Sequence, residues 1–350
     1  MSNVRLAADR LYLDHAATTP MLPQAQAAMV GAMAHWANPS SPHADGRAAR
    51  AALEDARARL KAALDWRGHV IFTSGASEAI GIGLGRVKAD RILTSPVEHD
   101  AVLRVTKGAE RLAVNADGIV LPPADRAGTP LFAIQHVNNE TGVIQPLETL
   151  DRAGAMLFAD CAQSAGKLPL PDADMIAISA HKFGGPPGVG ALLIRDLALI
   201  EPSGGQEQGY RAGTENLPAI LAMVAALEAR EDWLPRASEL RARLDAAIGE
   251  FGGTVVAPDA ARIPVIASYR MPGMSARAQL IQFDLAGISV SAGSACSSGS
   301  LRTSHVLGAM GWDEGAAAEV VRVSFGPQTC NRDVDRFISA WRSVADRARR

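Results

Sequence analysis

Apolar positions in the first part of the chain recur with a helical period. In residues 23–36, and again in residues 47–64, they fall at the spacing of one helix face, with Ala, Arg and Glu between them. This spacing predicts two amphipathic helices. Residues 38–42, which are rich in Pro and Ser, predict the loop that joins them.

Short apolar runs then alternate with helical stretches through the middle of the chain. The runs occupy residues 70–72, 91–93, 131–134, 156–158, 175–178 and 191–194. Strands that alternate with helices favour a mostly parallel sheet covered by helices on both faces. We therefore predict an α/β fold with a central, mostly parallel sheet sandwiched by helices.

The pattern changes after a long helical region that runs from residue 217 to about residue 251 and ends at two glycines. Strands are predicted at residues 254–256, 265–269, 288–290 and 320–324, and helices at residues 276–283 and 334–344. This second part predicts a smaller α+β domain. We expect residues 19–250 to form the large domain, and residues 1–18 with 251–350 to form the small one, which carries a mobile loop at about residues 291–304.

Composition narrows the choice of function. The chain has 350 residues, 48% of apolar types and 21% charged, with a net charge of −2. No long basic run is present, which argues against nucleic acid as the main partner. The N-terminus has no apolar segment typical of a secretory signal, and the most apolar stretch, residues 219–227, is too short to span a bilayer. We expect a cytoplasmic protein without membrane contact.

The three cysteines are an odd number without a CxxC pair, so neither a disulfide framework nor a zinc site is indicated. Cys296 lies in residues 291–300, which are drawn only from Gly, Ala, Ser and Cys. This setting predicts an exposed, mobile and reactive thiol. Cys161, in an apolar run, and Cys330, at the start of the last helix, are expected to serve packing and capping.

Two ionisable residues end neighbouring apolar runs. Lys182 follows the run at residues 175–178, and Asp160 ends the run about twenty residues earlier. Ligands of open α/β sheets bind at such strand ends. A lysine that forms a Schiff base and a carboxylate that keeps a pyridine nitrogen protonated are what pyridoxal 5′-phosphate (PLP) requires. The alternative is an ordinary surface lysine in a turn.

Three polar turns lie beside other predicted strands. Ala76 and Ser77 stand at a strand-to-helix turn, where free backbone N–H groups favour a phosphate. His99 follows another strand and is suited to stacking on a cofactor ring and moving protons. The amide of Asn139 suits a phenolic oxygen or a substrate carboxylate. Taken singly, the turn at Ala76 and Ser77 is better explained as a helix cap, and His99 as a solvated histidine. The turn at Asn139 is equally well explained by turn propensity.

Taken in series, these segments resemble the cysteine desulfurases, PLP enzymes of fold type I in the class V aminotransferase group. The resemblance runs nearly end to end. The matching segments are Tyr12-Leu-Asp14-His-Ala16 with its following Ala-Thr-Thr-Pro20, Asn38-Pro39, Thr73-Ser-Gly-Ala76, Glu98-His99, His136-Val-Asn-Asn139, Asp160 with Gln163, Ser179-Ala-His181-Lys182, Gly204-Gly205-Gln-Glu207, Arg211-Ala-Gly-Thr214, Gly293-Ser-Ala-Cys296 and Val321-Arg322-Val-Ser324. Ser77, Gly81 and Pro327 depart from the usual residues of the family.

The resemblance implies a role for each matching residue. Lys182 would form the Schiff base, and Asp160 would pair with the pyridinium nitrogen. Asn139 and Arg322 would bind the substrate carboxylate, the arginine through its planar fork. The other cofactor contacts would be Gln163 to the phenolic oxygen, His99 stacked on the ring, and Ala76, Ser77, Ser179 and His181 around the phosphate.

The resemblance also implies partners and products. Thr214 would reach the phosphate bound in a neighbouring subunit, so the active form would be a homodimer. L-Cysteine would be converted to L-alanine while Cys296 takes the sulfur as a persulfide and delivers it to an acceptor protein, such as an iron–sulfur scaffold. The length and composition of the cysteine-bearing loop resemble the family branch that serves iron–sulfur cluster assembly or tRNA thiolation.

Three other functions are compatible with a PLP fold. A selenocysteine lyase is the nearest, and a class V aminotransferase acting on serine-like substrates would not need Cys296. A non-catalytic PLP-binding scaffold should lack a catalytic residue, and none is missing from the sequence.

Overall fold

The computed structural model describes residues 10–34, 37–121, 128–150, 152, 154–293 and 303–349, so Cys296 lies outside the described residues. The strands are β1 (Leu11–Tyr12), β2 (His69–Thr73), β3 (Arg91–Thr94), β4 (Glu110–Arg111), β5 (Pro130–Gln135), β6 (Met156–Asp160), β7 (Met175–Ser179), β8 (Gly190–Ile194), β9 (Thr254–Val255), β10 (Ile266–Arg270), β11 (Ile288–Ser289) and β12 (Val320–Ser324). The helices are α1 (Pro23–Met33), α2 (Ala44–Ala63), α3 (Ala76–Gly85), α4 (Asp100–Val105), α5 (Leu217–Glu228), α6 (Leu234–Glu250), α7 (Ala276–Leu285), α8 (His305–Ala309), α9 (Glu314–Ala317) and α10 (Asn331–Ala348).

Seven strands form the central sheet, in the order β2-β8-β7-β6-β5-β3-β4. The strands from β7 to β4 pair in parallel, and β8 runs antiparallel to both β7 and β2. Strands β5, β7 and β8 are buried along their whole length, which is why they read as continuous apolar runs in the sequence. The predicted α/β fold with a mostly parallel sheet is confirmed.

One predicted element is divided in the structure. The helical region expected at residues 217–251 consists of α5 and α6, with residues 229–233 between them. Pro235 lies in the first turn of α6. A proline ring collides with the carbonyl group four residues earlier, so it is accommodated at the start of a helix and excluded from its interior.

A second, smaller sheet has the order β12-β10-β9, with antiparallel pairing. Helix α10 covers it with the apolar face that its sequence predicts, including the fully buried side chains of Phe337 and Trp341. The short strand β1 pairs in parallel with β11 beside this sheet, and the amide of Ser324 in β12 donates to the carbonyl of Leu13. The N-terminal segment is therefore attached to the C-terminal part of the chain.

Within the described residues, no helix combines the length and the apolar character needed to cross a bilayer.

A buried ion pair ties α2 to the central sheet. Arg57 Nη1 donates to Glu207 Oε2 at 2.8 Å, and the backbone amide of Phe72 in β2 donates to the same oxygen at 2.8 Å. The side chain of Glu207 is fully buried and that of Arg57 is 10% exposed. Removing one partner of such a pair leaves the other charge buried without compensation.

We expect Glu207→Ala to lower the free energy of unfolding by about 3–5 kcal/mol, measured by urea unfolding. The matched control is Arg59→Ala in the same helix as Arg57. It breaks the more exposed ion pair between Arg59 and Glu228 and should lower the free energy of unfolding by at most about 1 kcal/mol. Equal effects of the two substitutions would contradict the structural role of the buried pair.

Candidate active site

A cavity of about 620 Å³ lies at the carboxyl ends of β5, β6 and β7. The last residue of each of these strands lines it. Most of the residues predicted for the site line it too, namely Ala76, Ser77, His99, Asn139, Asp160, Gln163, Ser179, His181, Lys182 and Arg322. The structure thus brings together in one cavity side chains that are up to 246 residues apart in the sequence.

Lys182 lies in a single helical turn that follows β7. Its Nζ atom donates to the backbone carbonyls of Ala16 and Ala17, at 2.7 Å each. The turn is fixed from the same side, because the amide of Thr19 donates to the carbonyl of His181 at 2.8 Å. The N-terminal segment therefore holds the ammonium group at the cavity wall.

Asp160 ends β6, next to the strand that carries Lys182. Its carboxylate accepts a hydrogen bond from the amide of Ala162 at 2.9 Å. Burial raises the pKa of Asp160, although this hydrogen bond and the nearby charges of His99 and Lys182 act in the opposite direction. A buried carboxylate is best stabilised by a cationic partner inside the cavity.

The cavity is also lined by a turn that is suited to an anion. Gly75 precedes α3 with a φ of 151°, a conformation that favours glycine, and no side chain caps the N-terminus of this ten-residue helix. The amides of the first helical residues, Ala76 and Ser77, have no partner within the helix. Helix dipole and free N–H groups together favour a phosphate at this position.

His99 directly precedes α4 and is held in place by this helix. Its Nδ1 atom accepts a hydrogen bond from the amide of Ala101 at 3.2 Å, so the imidazole caps α4. The preceding residue, Glu98, is fully buried and accepts from Ser95 Oγ at 2.6 Å and from the amide of Gln135 at 2.8 Å. Burial raises the pKa of Glu98 to about 8. These contacts fix the backbone that positions His99.

Arg322 projects from β12 into the cavity, so the smaller sheet contributes to the site. Its Nη1 atom donates to the carbonyl of Asn139 at 2.9 Å, and its Nη2 atom donates to Asp14 Oδ1 at 2.8 Å. Its backbone also exchanges two hydrogen bonds with Ser291, which lines the cavity together with Gly293.

Two predicted residues are not part of this cavity as the structure describes it. Thr214 is exposed and does not line it. Cys296 falls outside the described residues, and Gly293, three residues earlier, is the last described residue before it. Cys161 is buried, and burial raises the pKa of its thiol.

Sequence reasoning gave no role to several residues that line the site. The carbonyls of Ala16 and Ala17 bind Lys182, and Asp14 pairs with Arg322. The sequence signal for these residues is the segment around Asp14, which matches a motif of the family but carries no assigned role. Gln163 also donates its side-chain amide to the carbonyl of Ala16 at 2.9 Å, which leaves its second N–H for a ligand.

The arrangement defines a class of protein. The family model for class-V aminotransferases matches residues 11–337, and the chain belongs to this family. A solved NifS-like protein from Rickettsia africae superposes with a TM-score of 0.86 at 29% identity, covering 96% of this chain and 99% of that one.

Within the family, the chain belongs with the cysteine desulfurases. It is 34% identical to the cysteine desulfurase IscS of Dictyoglomus turgidum, over 97% of this chain and 95% of the relative. It is 36% identical to the IscS-like cysteine desulfurase of Mycobacterium tuberculosis, over 97% of both chains. The predicted family and fold type are confirmed by these similarities.

A buried histidine beside the site makes stability depend on pH. His136 contacts Ser164 Oγ at 3.0 Å through Nδ1, and burial lowers the pKa of His136 to about 4. Since an unfolded histidine has a pKa near 6.5, the unfolded chain takes up this proton first. The contribution of the neutral imidazole is complete above about pH 6.5 and is lost as the pH falls toward 4.

We expect the free energy of unfolding of the wild type to fall faster than that of His136→Asn, by up to about 1.4 kcal/mol per pH unit between about pH 6 and 4.5. Urea unfolding at a series of pH values measures both slopes. His69→Asn, at an exposed histidine, is the matched control. Identical slopes for wild type and both variants would show that His136 is not responsible.

Proposed function

We propose that the protein is a PLP-dependent cysteine desulfurase, a transferase that moves sulfur from L-cysteine onto Cys296 and leaves L-alanine. One observation carries the proposal: Lys182, Asp160, His99 and Arg322 line the same cavity. Membership of the cysteine desulfurases supports it. The alternatives of a selenocysteine lyase, another aminotransferase or a scaffold are not favoured by the relatives.

The residues of the cavity fit PLP. The uncapped N-terminus of α3, Ser179 and His181 line the cavity and suit the phosphate. The buried carboxylate of Asp160 suits a protonated pyridine nitrogen. The amine of Lys182, which lines the same cavity, suits the formation of an imine with the cofactor. Gln163 retains an N–H for the phenolic oxygen, and His99 is held rigidly enough to stack on a ring.

When bound, PLP supplies an electron sink for the carbanion formed at Cα of the substrate. Asp160, as a carboxylate, would hold the pyridine nitrogen and keep it protonated. Lys182 would bind the cofactor through its amine and would serve as the base that takes the Cα proton of the substrate. His99, whose Nδ1 atom accepts a hydrogen bond from the amide of Ala101, lines the cavity and would move a proton there.

Arg322 and Asn139 bind the substrate carboxylate and orient the thiol group. Cys296, as a thiolate, attacks the substrate sulfur: an S–S bond forms, the C–S bond breaks, and its electron pair stays with the carbon that is protonated to give alanine. The balance is L-cysteine plus enzyme thiol to L-alanine plus enzyme persulfide. In the sequence, Cys296 follows Gly293, which lines the cavity, by three residues.

We further propose a homodimer in which Thr214 completes the phosphate site of the neighbouring subunit. In support, Thr214 is exposed and does not line the cavity of its own subunit. The persulfide would pass to an acceptor protein of iron–sulfur assembly or thiolation, and the cytoplasm would be the place of action. Residues 19–250 would form the large cofactor-binding domain, and residues 1–18 with 251–350 the small one.

With PLP, L-cysteine and a thiol reductant, we expect the wild type to release sulfide and alanine in equal amounts. Lys182→Ala should lose at least about 100-fold in rate, and Cys296→Ala should release no sulfide above background because the nucleophile is missing. Cys330→Ala, at an exposed cysteine, is the matched control and should behave as wild type. If Cys296→Ala is fully active, a lyase mechanism replaces the persulfide mechanism.

The dimer is tested by mixing subunits. Thr214→Asp should inactivate the homodimer because its carboxylate repels the phosphate, and Lys182→Ala inactivates it chemically. A heterodimer of the two variants regains one intact site, with Lys182 from one subunit and Thr214 from the other. We expect co-expression to restore between a quarter and a half of wild-type activity; no restoration would mean that Thr214 acts within its own subunit.

A further inference from the structure

The guanidinium group of Arg322 is bound on two of its three nitrogens. Nη1 donates to the carbonyl of Asn139 and Nη2 donates to the carboxylate of Asp14. The third nitrogen, Nε, is buried and has no hydrogen-bond partner among the described residues. The side chain is 7% exposed. Each terminal nitrogen carries two N–H groups and uses one of them in these bonds. Because Arg322 lines the cavity, the second N–H groups can serve an acceptor that binds there.

Asp14 is held beside Arg322 by its own backbone. The residue before it accepts from the amide of Ser324 at 2.8 Å, and the amide of Ala16 donates to Ser324 Oγ at 2.8 Å. Ser324 lies two residues beyond Arg322 in β12. The carboxylate of Asp14 therefore approaches the guanidinium group from a fixed direction and itself lines the cavity.

We propose that Asp14 is a positioning residue for carboxylate recognition: by binding Nη2 it fixes the plane of Arg322, so that the guanidinium group presents its remaining donors to the substrate carboxylate. This proposal rests on the proposed function and adds a residue to it. Arg has planar donors in a fixed geometry, and a misdirected plane loses a two-pronged contact with a carboxylate.

The two properties of Asp14 make different demands. The oxygen of Asp14 accepts a hydrogen bond from Arg322, and an asparagine at this position keeps an accepting oxygen. The negative charge of Asp14 repels a second carboxylate in the same cavity, and an asparagine removes that charge. Orientation of Arg322 should therefore survive Asp14→Asn and fail in Asp14→Ala. A residue needed only for its charge, or only for folding, would not give this order.

The experiment titrates the PLP-loaded protein with two amines and follows the absorbance of the bound cofactor. L-Alanine carries the carboxylate, and ethylamine is the same molecule without it. We expect Asp14→Ala to weaken L-alanine binding about tenfold, because the charge-assisted hydrogen bond that orients Arg322 is lost. The same substitution should change ethylamine binding less than twofold. Asp14→Asn should bind L-alanine at least as tightly as the wild type.

The matched control is Glu319→Ala, which removes a comparable ion pair with Arg270 outside the cavity and should leave the affinity for both amines unchanged. Equal weakening of both amines by Asp14→Ala, or unchanged L-alanine binding, would overturn the role of Asp14. So would a wild type that binds L-alanine no better than ethylamine. If the expected order of variants is found but no sulfide is released from L-cysteine, the role of Asp14 stands and the proposed desulfurase activity fails.

Discussion

The site depends on the register of three parallel strands. Gln135 in β5 is opposite Asp160 in β6, and Asp160 is opposite Ala177 in β7, two residues before the end of that strand. Because both faces of these strands are packed, a shift of register would move each side chain to the opposite face and break its packing. The carboxylate of Asp160 and the turn that carries Lys182 are thereby held at one level, and the other groups of the cavity are arranged around them.

This part of the molecule is predictable from the sequence because its signals are local. A strand buried on both faces must be a continuous apolar run, and a charged residue that ends such a run must emerge at the edge of the sheet. Asp160 ends such a run and Lys182 lies in the turn that directly follows another one. Parallel strands bring their carboxyl ends together. The class of fold and the centre of the site follow from these two rules, and the family resemblance adds the roles of the remaining residues.

The remainder depends on contacts that leave no local trace. The acceptors for Lys182 are backbone carbonyls, which any residue type would supply, and they lie about 165 residues away in the chain. Asp14 meets Arg322 across 308 residues. The buried acid Glu207 occurs in a glycine-rich turn where sequence alone favours exposure. The break between α5 and α6 has a local sequence signal, because Pro235 lies in the first turn of α6. The helical apolar pattern on both sides of Pro235 suggests one continuous helix and hides this signal.

The segment from Leu11 to Thr19 connects the two sheets in an unusual way. It begins as a strand beside β11, continues along Ser324, and ends with the carbonyls and the amide that hold Lys182 and its turn. The hydrogen-bond acceptors of Lys182 therefore lie outside the seven-stranded sheet that positions the lysine. The two parts of the molecule are not independent modules, because a gene fragment that encoded only the larger sheet and its helices would specify the lysine without its acceptors.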